Sequence, residues 1–80
     1  MNRAEEWRKL EEALTNLVGS MSPQLSIRDC ALLAEFIDNR EFGVALEWLH
    51  SSVVENRLQP SASQKLEVQR LAKMMDIDLP

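Results

Sequence analysis

The chain has 80 residues, of which 45% are apolar and 28% are charged, and it contains two glycines and three prolines. This composition is typical of one small folded domain, here residues 1–80, and it excludes a disordered chain. The formal net charge of −4 argues against nucleic acid as the main ligand, because phosphates are bound chiefly by Lys and Arg. Leu, Glu, Ala, Arg and Met are frequent and tyrosine is absent, which favours helices over strands.

The sequence carries no signal for export or for membrane insertion. Its N-terminus lacks an apolar signal segment, and no apolar run approaches the roughly 18 residues that a membrane span needs. The single cysteine, Cys30, cannot form an intramolecular disulfide and provides no metal framework. We therefore expect a cytoplasmic protein that does not bind a membrane.

Apolar side chains recur at intervals of three and four residues along most of the chain, which is the spacing of amphipathic helices. This spacing predicts four helices, at about residues 2–18, 26–40, 42–56 and 61–75. The loops between them are short, and no segment has the alternation typical of a strand. The sequence therefore predicts an all-α protein, a compact four-helix bundle.

Capping residues set the expected helix boundaries. Helix 1 has a candidate N-cap in Asn2 and a candidate stop in Gly19, because glycine adopts a left-handed conformation at little cost. Its Trp7 lies on the apolar stripe and is expected to pack in the core. Helices 2 and 4 start at the serine caps Ser26 and Ser61. The partner side chains of these two capping boxes, three residues further on, are Asp29 and Gln64.

Helix 2 is apolar over more than half of its circumference, which predicts a central helix packed on two sides. Its apolar residues are Ile27, Cys30, Ala31, Leu32, Leu33, Ala34, Phe36 and Ile37. In such surroundings Cys30 is expected to be a small core residue, because no base is placed to activate it as a nucleophile.

Helix 3 has one apolar stripe and two apolar residues outside it. The stripe consists of Phe42, Ala45, Leu46, Leu49 and Val53. Val44 and Trp48 lie off the stripe, four residues apart and so adjacent on the helix surface. Gly43 costs about 1 kcal/mol of helix propensity relative to alanine, and its position indicates that two helix backbones pass close together. The short connection predicts that helices 2 and 3 form an antiparallel hairpin.

Helix 4 and the residues after it have a weaker apolar pattern. The expected stripe is Leu66, Val68, Leu71, Ala72 and Met75. Beyond the helix, Ile77 and Leu79 are expected to fold back onto the bundle as a short apolar tail.

No set of side chains in the sequence is typical of an active site. His50 is the only histidine, and it has no neighbouring metal ligands. Acidic pairs such as Glu41 with Glu47, or Asp38 with Glu41, need an enclosing cleft to act as acid and base, and an 80-residue bundle has little room for one. Phosphate-binding glycine loops, EF-hand loops and nucleophile elbows do not occur in the sequence. We therefore predict a protein without enzymatic activity, cofactor or metal.

The acidic charge is concentrated in the middle of the chain. Residues 29–55 contain six acidic residues against one basic residue, Arg40, a net charge of −5, and the rest of the chain sums to +1. An acidic patch attracts and orients a basic partner, although every small soluble domain also needs a charged, solvated face. Trp48 lies in this region, and tryptophan is one of the residue types enriched in interface hot spots.

The run from Glu41 to Leu49, Glu-Phe-Gly-Val-Ala-Leu-Glu-Trp-Leu, resembles the signature of MafI-type immunity proteins. In that signature an acidic residue is followed two places on by glycine, and then by Ala-Leu-Glu and a leucine. The C-terminal part agrees, because Glu55-Asn56 precedes a Pro-Ser turn, a helix ending in Leu-Ala-Lys-Met-Met and an Asp-Ile-Asp tail. Small immunity proteins of contact-dependent growth inhibition systems are similar. The resemblance covers about residues 32–79 and is weak over helix 1.

The resemblance implies a protein of the bacterial cytosol that binds and neutralises a cognate toxin domain. Many such toxins are basic nucleases, often tRNases, and the immunity protein covers the active site or the substrate cleft. Gly43, Ala45 and Leu46 would then serve folding, while exposed side chains of helices 2 and 3 would contact the toxin. The predicted toxin-binding residues are Glu35, Asp38, Asn39, Glu41, Glu47, Trp48, Ser51 and Glu55. The chain itself would be a monomer or a homodimer.

Two other functions fit parts of the sequence. A helical adaptor or oligomerisation module without enzymatic activity would use the wide apolar arc of helix 2 and the four methionines for self-association. A DNA-binding regulator would use helices 2 and 3 as a helix-turn-helix. Helix 3, however, has no Lys or Arg before Arg57, and a recognition helix without cations binds DNA poorly.

Overall fold

The computed structural model describes residues 3–79, which form four α-helices and no strand. The helices are α1 (Arg3–Met21), α2 (Ile27–Asp38), α3 (Phe42–Glu55) and α4 (Ala62–Met74). The predicted all-α four-helix bundle is confirmed. The candidate cap Asn2 lies outside the described residues.

Helix α1 continues through Gly19, so the predicted stop at this glycine is wrong. Gly19 is in the interior of α1, and no described glycine has a positive φ. The helix extends to Met21 because this side chain is fully buried together with Leu14 and Leu17, on the same side of the helix. Burial of a methionine side chain contributes about 1.5–3 kcal/mol, which exceeds the cost of about 1 kcal/mol for one helical glycine.

The serine caps of α2 and α4 are confirmed. Ser26 Oγ accepts a hydrogen bond from the Asp29 backbone N–H at 3.0 Å. Ser61 Oγ accepts from the Gln64 N–H at 3.1 Å, and Gln64 Oε1 accepts from the Ser61 N–H at 2.8 Å, which completes a capping box. Each serine cap stabilises its helix by about 1 kcal/mol.

Two residues past the end of α2, α3 and α4, the chain has a left-handed backbone at a residue that is not glycine. These residues are Arg40, Arg57 and Asp76, with φ of 59°, 52° and 55°. After each of them the next N–H reaches back to the helix, as in Glu41 N–H to the Phe36 carbonyl at 2.8 Å. The same bond joins Leu58 to Val53 and Ile77 to Ala72. This is the Schellman arrangement, in which two terminal carbonyls gain donors. The three turns direct the chain from each helix into the segment that follows it.

Helix α3, not α2, is the central helix of the bundle. α1 and α3 each pack against the other three helices, whereas α2 packs only against α1 and α3. Of these two, α3 has more buried residues, five against three. The buried residues of α3 are Phe42, Ala45, Leu46, Leu49 and Ser52, and Val53 is partly buried. The predicted stripe of helix 3 is therefore confirmed. The predicted centrality of helix 2 is wrong, because part of its apolar arc faces solvent, and Ile27 at the start of α2 is 91% exposed.

Two further side chains expected in the core lie at the surface. Leu66 is 65% exposed on α4, so the apolar stripe of that helix starts at Val68. Trp7 is 37% exposed because the first turns of α1 project beyond the core. Its ring is covered by the guanidinium groups of Arg40 and Arg3, at 4.8 Å and 5.8 Å from the ring centroid. These are cation–π contacts, which arginine forms readily with tryptophan.

Gly43 makes room for the C-terminal tail, whereas the sequence indicated close passage of two helix backbones. A Cβ atom at Gly43 would lie 3.2 Å from Ile77 Cδ1, closer than ordinary van der Waals contact. Ile77 and Leu79 are both partly buried against the core. The predicted folding-back of the tail is therefore confirmed, and Gly43 is one of the residues that accommodate it.

This contact predicts that the effects of substitutions at Gly43 and Ile77 are coupled. Gly43→Ala gains about 1 kcal/mol of helix propensity, but in the native chain the new methyl group must displace Ile77. In an Ile77→Ala background the same substitution is expected to stabilise the fold by close to the full 1 kcal/mol. A double-mutant cycle measured by urea unfolding tests the coupling. An identical change in unfolding free energy in both backgrounds would contradict it.

Candidate protein-binding face

The side of α3 opposite the core carries a continuous row of exposed side chains, which we call the Trp48 face. Its residues recur at intervals of three and four and so adjoin one another on the helix. They are Val44, Glu47, Trp48, Ser51 and Glu55, all exposed. Val44 and Trp48, at 44% and 38% exposed, are its apolar part. The face therefore combines an aromatic centre with two carboxylates and a hydroxyl.

Trp48 is held in place by α2 and still presents ring surface to solvent. Its Nε1–H donates to Asp29 Oδ1 at 3.2 Å. Its ring packs against Phe36 with the centroids 5.7 Å apart and the planes inclined by 56°, an arrangement that aromatic pairs favour. An aromatic side chain fixed in this way loses little conformational entropy when a partner covers it. This makes Trp48 a suitable interface anchor.

Asp29 is the residue that ties Trp48 to the bundle. Besides the bond from Trp48, its Oδ2 accepts from Ser52 Oγ at 3.3 Å, and Ser52 is buried. The sequence assigned the Asp29 side chain to a capping box with Ser26. The backbone N–H does serve that cap, while the carboxylate turns to α3. Sequence reasoning missed this role because its partner Trp48 lies 19 residues further along the chain, and no local pattern links the two.

A groove of about 800 Å³ lies between the start of α2 and the end of α3, and we call it the α2–α3 groove. Trp48 forms one wall, and Asp29 and Glu55 contribute carboxylates. Arg28 is the single cation on its lining. The other lining residues are Gln24, Leu25, Ser26, Ser51, Ser52 and Asn56. The groove is thus polar, with one aromatic surface.

The eight predicted toxin-binding residues are all exposed, but they do not form one cluster. Trp48, Ser51 and Glu55 line the α2–α3 groove, and Glu47 lies beside them on the Trp48 face. The other four residues lie at the turn of the hairpin or close to it, at the opposite end of the hairpin from the groove. They are Glu35, Asp38, Asn39 and Glu41.

Asn39 and Glu41, at the hairpin turn, lie next to the ends of helices and differ in whether their side chains bond there. The Asn39 side-chain Nδ2–H donates to the Glu35 carbonyl at 3.0 Å, which helps to close the C-terminal end of α2. Glu41 occupies the N-cap position of α3 but makes no side-chain capping bond there. The Asn39 amide therefore serves folding, while the Glu41 carboxylate is exposed at the surface.

The carboxylates of α2 and α3 have no cationic partner in the part of the chain that the structure describes. The one ion pair among residues 3–79 is on α4, where Arg70 Nε lies 2.7 Å from Glu67 Oε1. There the side-chain hydrogen bond from Arg70 lowers the pKa of Glu67. No lysine or arginine comes within 4.0 Å of the carboxylates of Glu35, Asp38, Glu47 or Glu55 across residues 3–79. Their charges add to one negative field, which attracts cationic surfaces.

The remaining candidates from the sequence lie elsewhere. Cys30 is partly buried against the core. His50 is partly buried and borders an apolar pocket of about 330 Å³, whose walls include Met21, Val68 and Leu79. Residues 3–79 contain no group of three His, Cys, Asp or Glu side chains placed to hold a metal ion. None of the helices in this range is both long and apolar enough to cross a membrane.

Comparisons of the chain with protein-family models, with curated proteins and with solved structures gave no match.

Proposed function

We propose that the chain is a bacterial immunity protein that binds a cognate toxin domain and neutralises it without enzymatic activity. The toxin would be a basic nuclease, such as a tRNase, and the immunity protein would cover its active site or substrate cleft. The observation that carries the proposal is Trp48, a fixed and partly exposed aromatic side chain surrounded by carboxylates that have no cationic partner within residues 3–79.

Charge complementarity supports a nuclease as the partner. A nuclease needs cationic side chains around its cleft to bind phosphates. The net charge of −5 over residues 29–55 suits such a surface and would accelerate association by electrostatic steering. The resemblance of residues 41–49 to the MafI-type signature points to the same class of partner.

The proposal is tested by co-expressing the chain with toxin domains encoded directly upstream of it. We expect the native chain to restore growth and to form a complex with one of them. The double variant Glu35→Lys, Glu47→Lys should slow association with that toxin at least about tenfold. Stopped-flow measurements at low and high salt check this, because screening reduces a steered rate.

A matched control is available on α1. Glu11→Lys with Glu12→Lys makes the same change in net charge on exposed residues of a different helix, and we expect it to change the association rate much less. Equal slowing by both pairs would show that only the net charge matters. Unimpaired binding by the Glu35, Glu47 pair would mean that the toxin contacts another face.

An oligomerisation module is the second candidate, and one observation favours it. The exposed apolar side of α2 is formed by Ile27, Ala31 and Ala34, and Ile27 is 91% exposed. Self-association through this side would remove Ile27 from water. Light scattering of the chain without toxin tests the module. A dimer that Ile27→Glu converts to a monomer would support it, and a monomeric native chain would contradict it.

A further inference from the structure

The carboxylate of Asp29 in the α2–α3 groove is not saturated by its two hydrogen bonds. Its bonds from Trp48 and Ser52 measure 3.2 Å and 3.3 Å, longer than the usual 2.9–3.0 Å for N–H···O and 2.7–2.8 Å for O–H···O. Both donors are neutral. A carboxylate has about four acceptor positions, so Asp29 can take further donors. A charged donor would bind more closely and roughly twice as strongly.

The rest of the groove is suited to the other parts of a long cationic side chain. Trp48 offers an aromatic surface, against which the stem and the planar head of an arginine can pack. Glu55 lines the groove one helical turn beyond Ser51 and contributes the second carboxylate. Lysine would match the charge, but it lacks the planar group that stacks on a ring and bridges two carboxylates.

Arg28 on the groove lining opposes a bound cation. Within residues 3–79 it forms no ion pair with Asp29 or with any other carboxylate, although it lies next to Asp29 in sequence. The two carboxylates and the one guanidinium leave a net charge of −1 on the lining. Arg28 therefore reduces the attraction for a cation without removing it.

We infer that the α2–α3 groove binds one arginine side chain of the partner protein, with the guanidinium group on Asp29 and Glu55 and the stem against Trp48. This inference rests on the proposed function for the partner being a basic toxin domain. It specifies which chemical group of the partner is recognised. It also assigns a binding role to Asp29, for which the sequence indicated only a capping role.

A peptide that carries one arginine, acetyl-Gly-Gly-Arg-Gly-Gly-amide, is the probe. The chain has two tryptophans, so its ¹⁵N spectrum contains two side-chain indole N–H signals. The Trp48 signal reports on the groove, because that N–H bonds to Asp29. We expect a saturable shift of the Trp48 signal and none of the Trp7 signal, since Trp7 is already covered by two arginines.

The same peptide with citrulline, which has the shape of arginine but no charge, should give no saturable shift. Equal shifts with both peptides would overturn the inference.

Four substitutions sharpen the test. Asp29→Asn retains an acceptor for Trp48 and should weaken binding of the arginine peptide about tenfold or more. Glu55→Gln, at an exposed position that leaves the core intact, should also weaken it. Arg28→Gln should strengthen binding several-fold, because it removes the opposing charge. Glu12→Gln lies at an exposed position of α1 outside the groove lining and should have little effect. Native affinity in both Asp29→Asn and Glu55→Gln would overturn the inference.

The groove inference and the proposed immunity function can be contradicted independently of each other. If the chain binds the arginine peptide in this way but neutralises no toxin, the groove is supported and the immunity function is not. If it neutralises a toxin equally well with Asp29→Asn and Glu55→Gln, the immunity function holds and the groove inference is wrong.

Discussion

Leu46→Ala is expected to lower the free energy of unfolding by about 3 kcal/mol, within the 2–5 kcal/mol observed for buried Leu-to-Ala changes. Leu46 is fully buried on α3, a helix that packs against all three others, so a cavity at this position has walls that cannot all move inward. A domain of this size has a total stability of roughly 4–12 kcal/mol. The midpoint of thermal unfolding should therefore fall by about 12–24 °C. Urea and thermal unfolding followed by circular dichroism measure the change.

The control lies two residues away on the same helix. Val44 is 44% exposed, and Val44→Ala removes a smaller side chain from the surface while raising helix propensity. We expect a loss of less than about 1 kcal/mol for this variant. If both variants were equally destabilising, the division of α3 into a buried stripe and an exposed face would be contradicted.

The starts of α2 and α4 were predictable from the sequence because a capping side chain specifies each of them locally. Ser26 and Ser61 accept the backbone N–H groups that the first turn leaves without partners, and the apolar stripe of α3 repeats at the helical period. The ends of α2, α3 and α4 lie within two residues of the predicted ends at 40, 56 and 75, but the left-handed turns that follow these helices were not predicted. The sequence indicated Gly19, whereas the left-handed turns fall on Arg40, Arg57 and Asp76.

The left-handed residue Arg40 is stabilised in part by a contact that no local pattern shows. A residue with a Cβ atom in this conformation costs roughly 1–2 kcal/mol. At Arg40 the backbone bond from Glu41 to Phe36 and the contact of its guanidinium group with Trp7 offset that cost. Trp7 lies 33 positions earlier in the chain than Arg40, so only the folded structure brings the two together.

The candidate site was predictable to a similar degree. Periodicity placed Val44 and Trp48 off the core stripe, and both are exposed. The charge count selected the right region of the chain, but it could not show that Asp38 and Glu41 lie at the opposite end of the hairpin from Glu55. It also passed over Asp29, since an aspartate three residues after a capping serine has a sufficient local explanation. The pairing of Asp29 with Trp48 joins residues that are distant in the sequence, so no local pattern predicts it.

In the proposed function α3 both supports the core and contacts the toxin, and substitutions on its two sides should separate these two roles. Changes on the buried side of α3, such as Leu46→Ala, should reduce toxin binding only by depleting folded protein. Changes on the Trp48 face should weaken binding in a chain that remains folded. The distinction is measurable when binding and unfolding are followed for the same variant.

Trp48→Ala is expected to weaken toxin binding about 30-fold or more, which corresponds to the roughly 2 kcal/mol that defines a hot spot. The variant removes the one large aromatic surface on the Trp48 face and leaves Asp29 without its indole donor. Titration calorimetry with the toxin domain, at a temperature where circular dichroism shows the variant to be folded, measures the loss. Trp7→Ala is the matched control, because Trp7 has nearly the same exposure, 37% against 38%, but lies on α1 beneath two arginines. A larger loss of affinity from Trp7→Ala than from Trp48→Ala would contradict the prediction. It would place the toxin at the Trp7 end of the bundle, where Arg3 and Arg40 lie, and not on the carboxylates of α2 and α3.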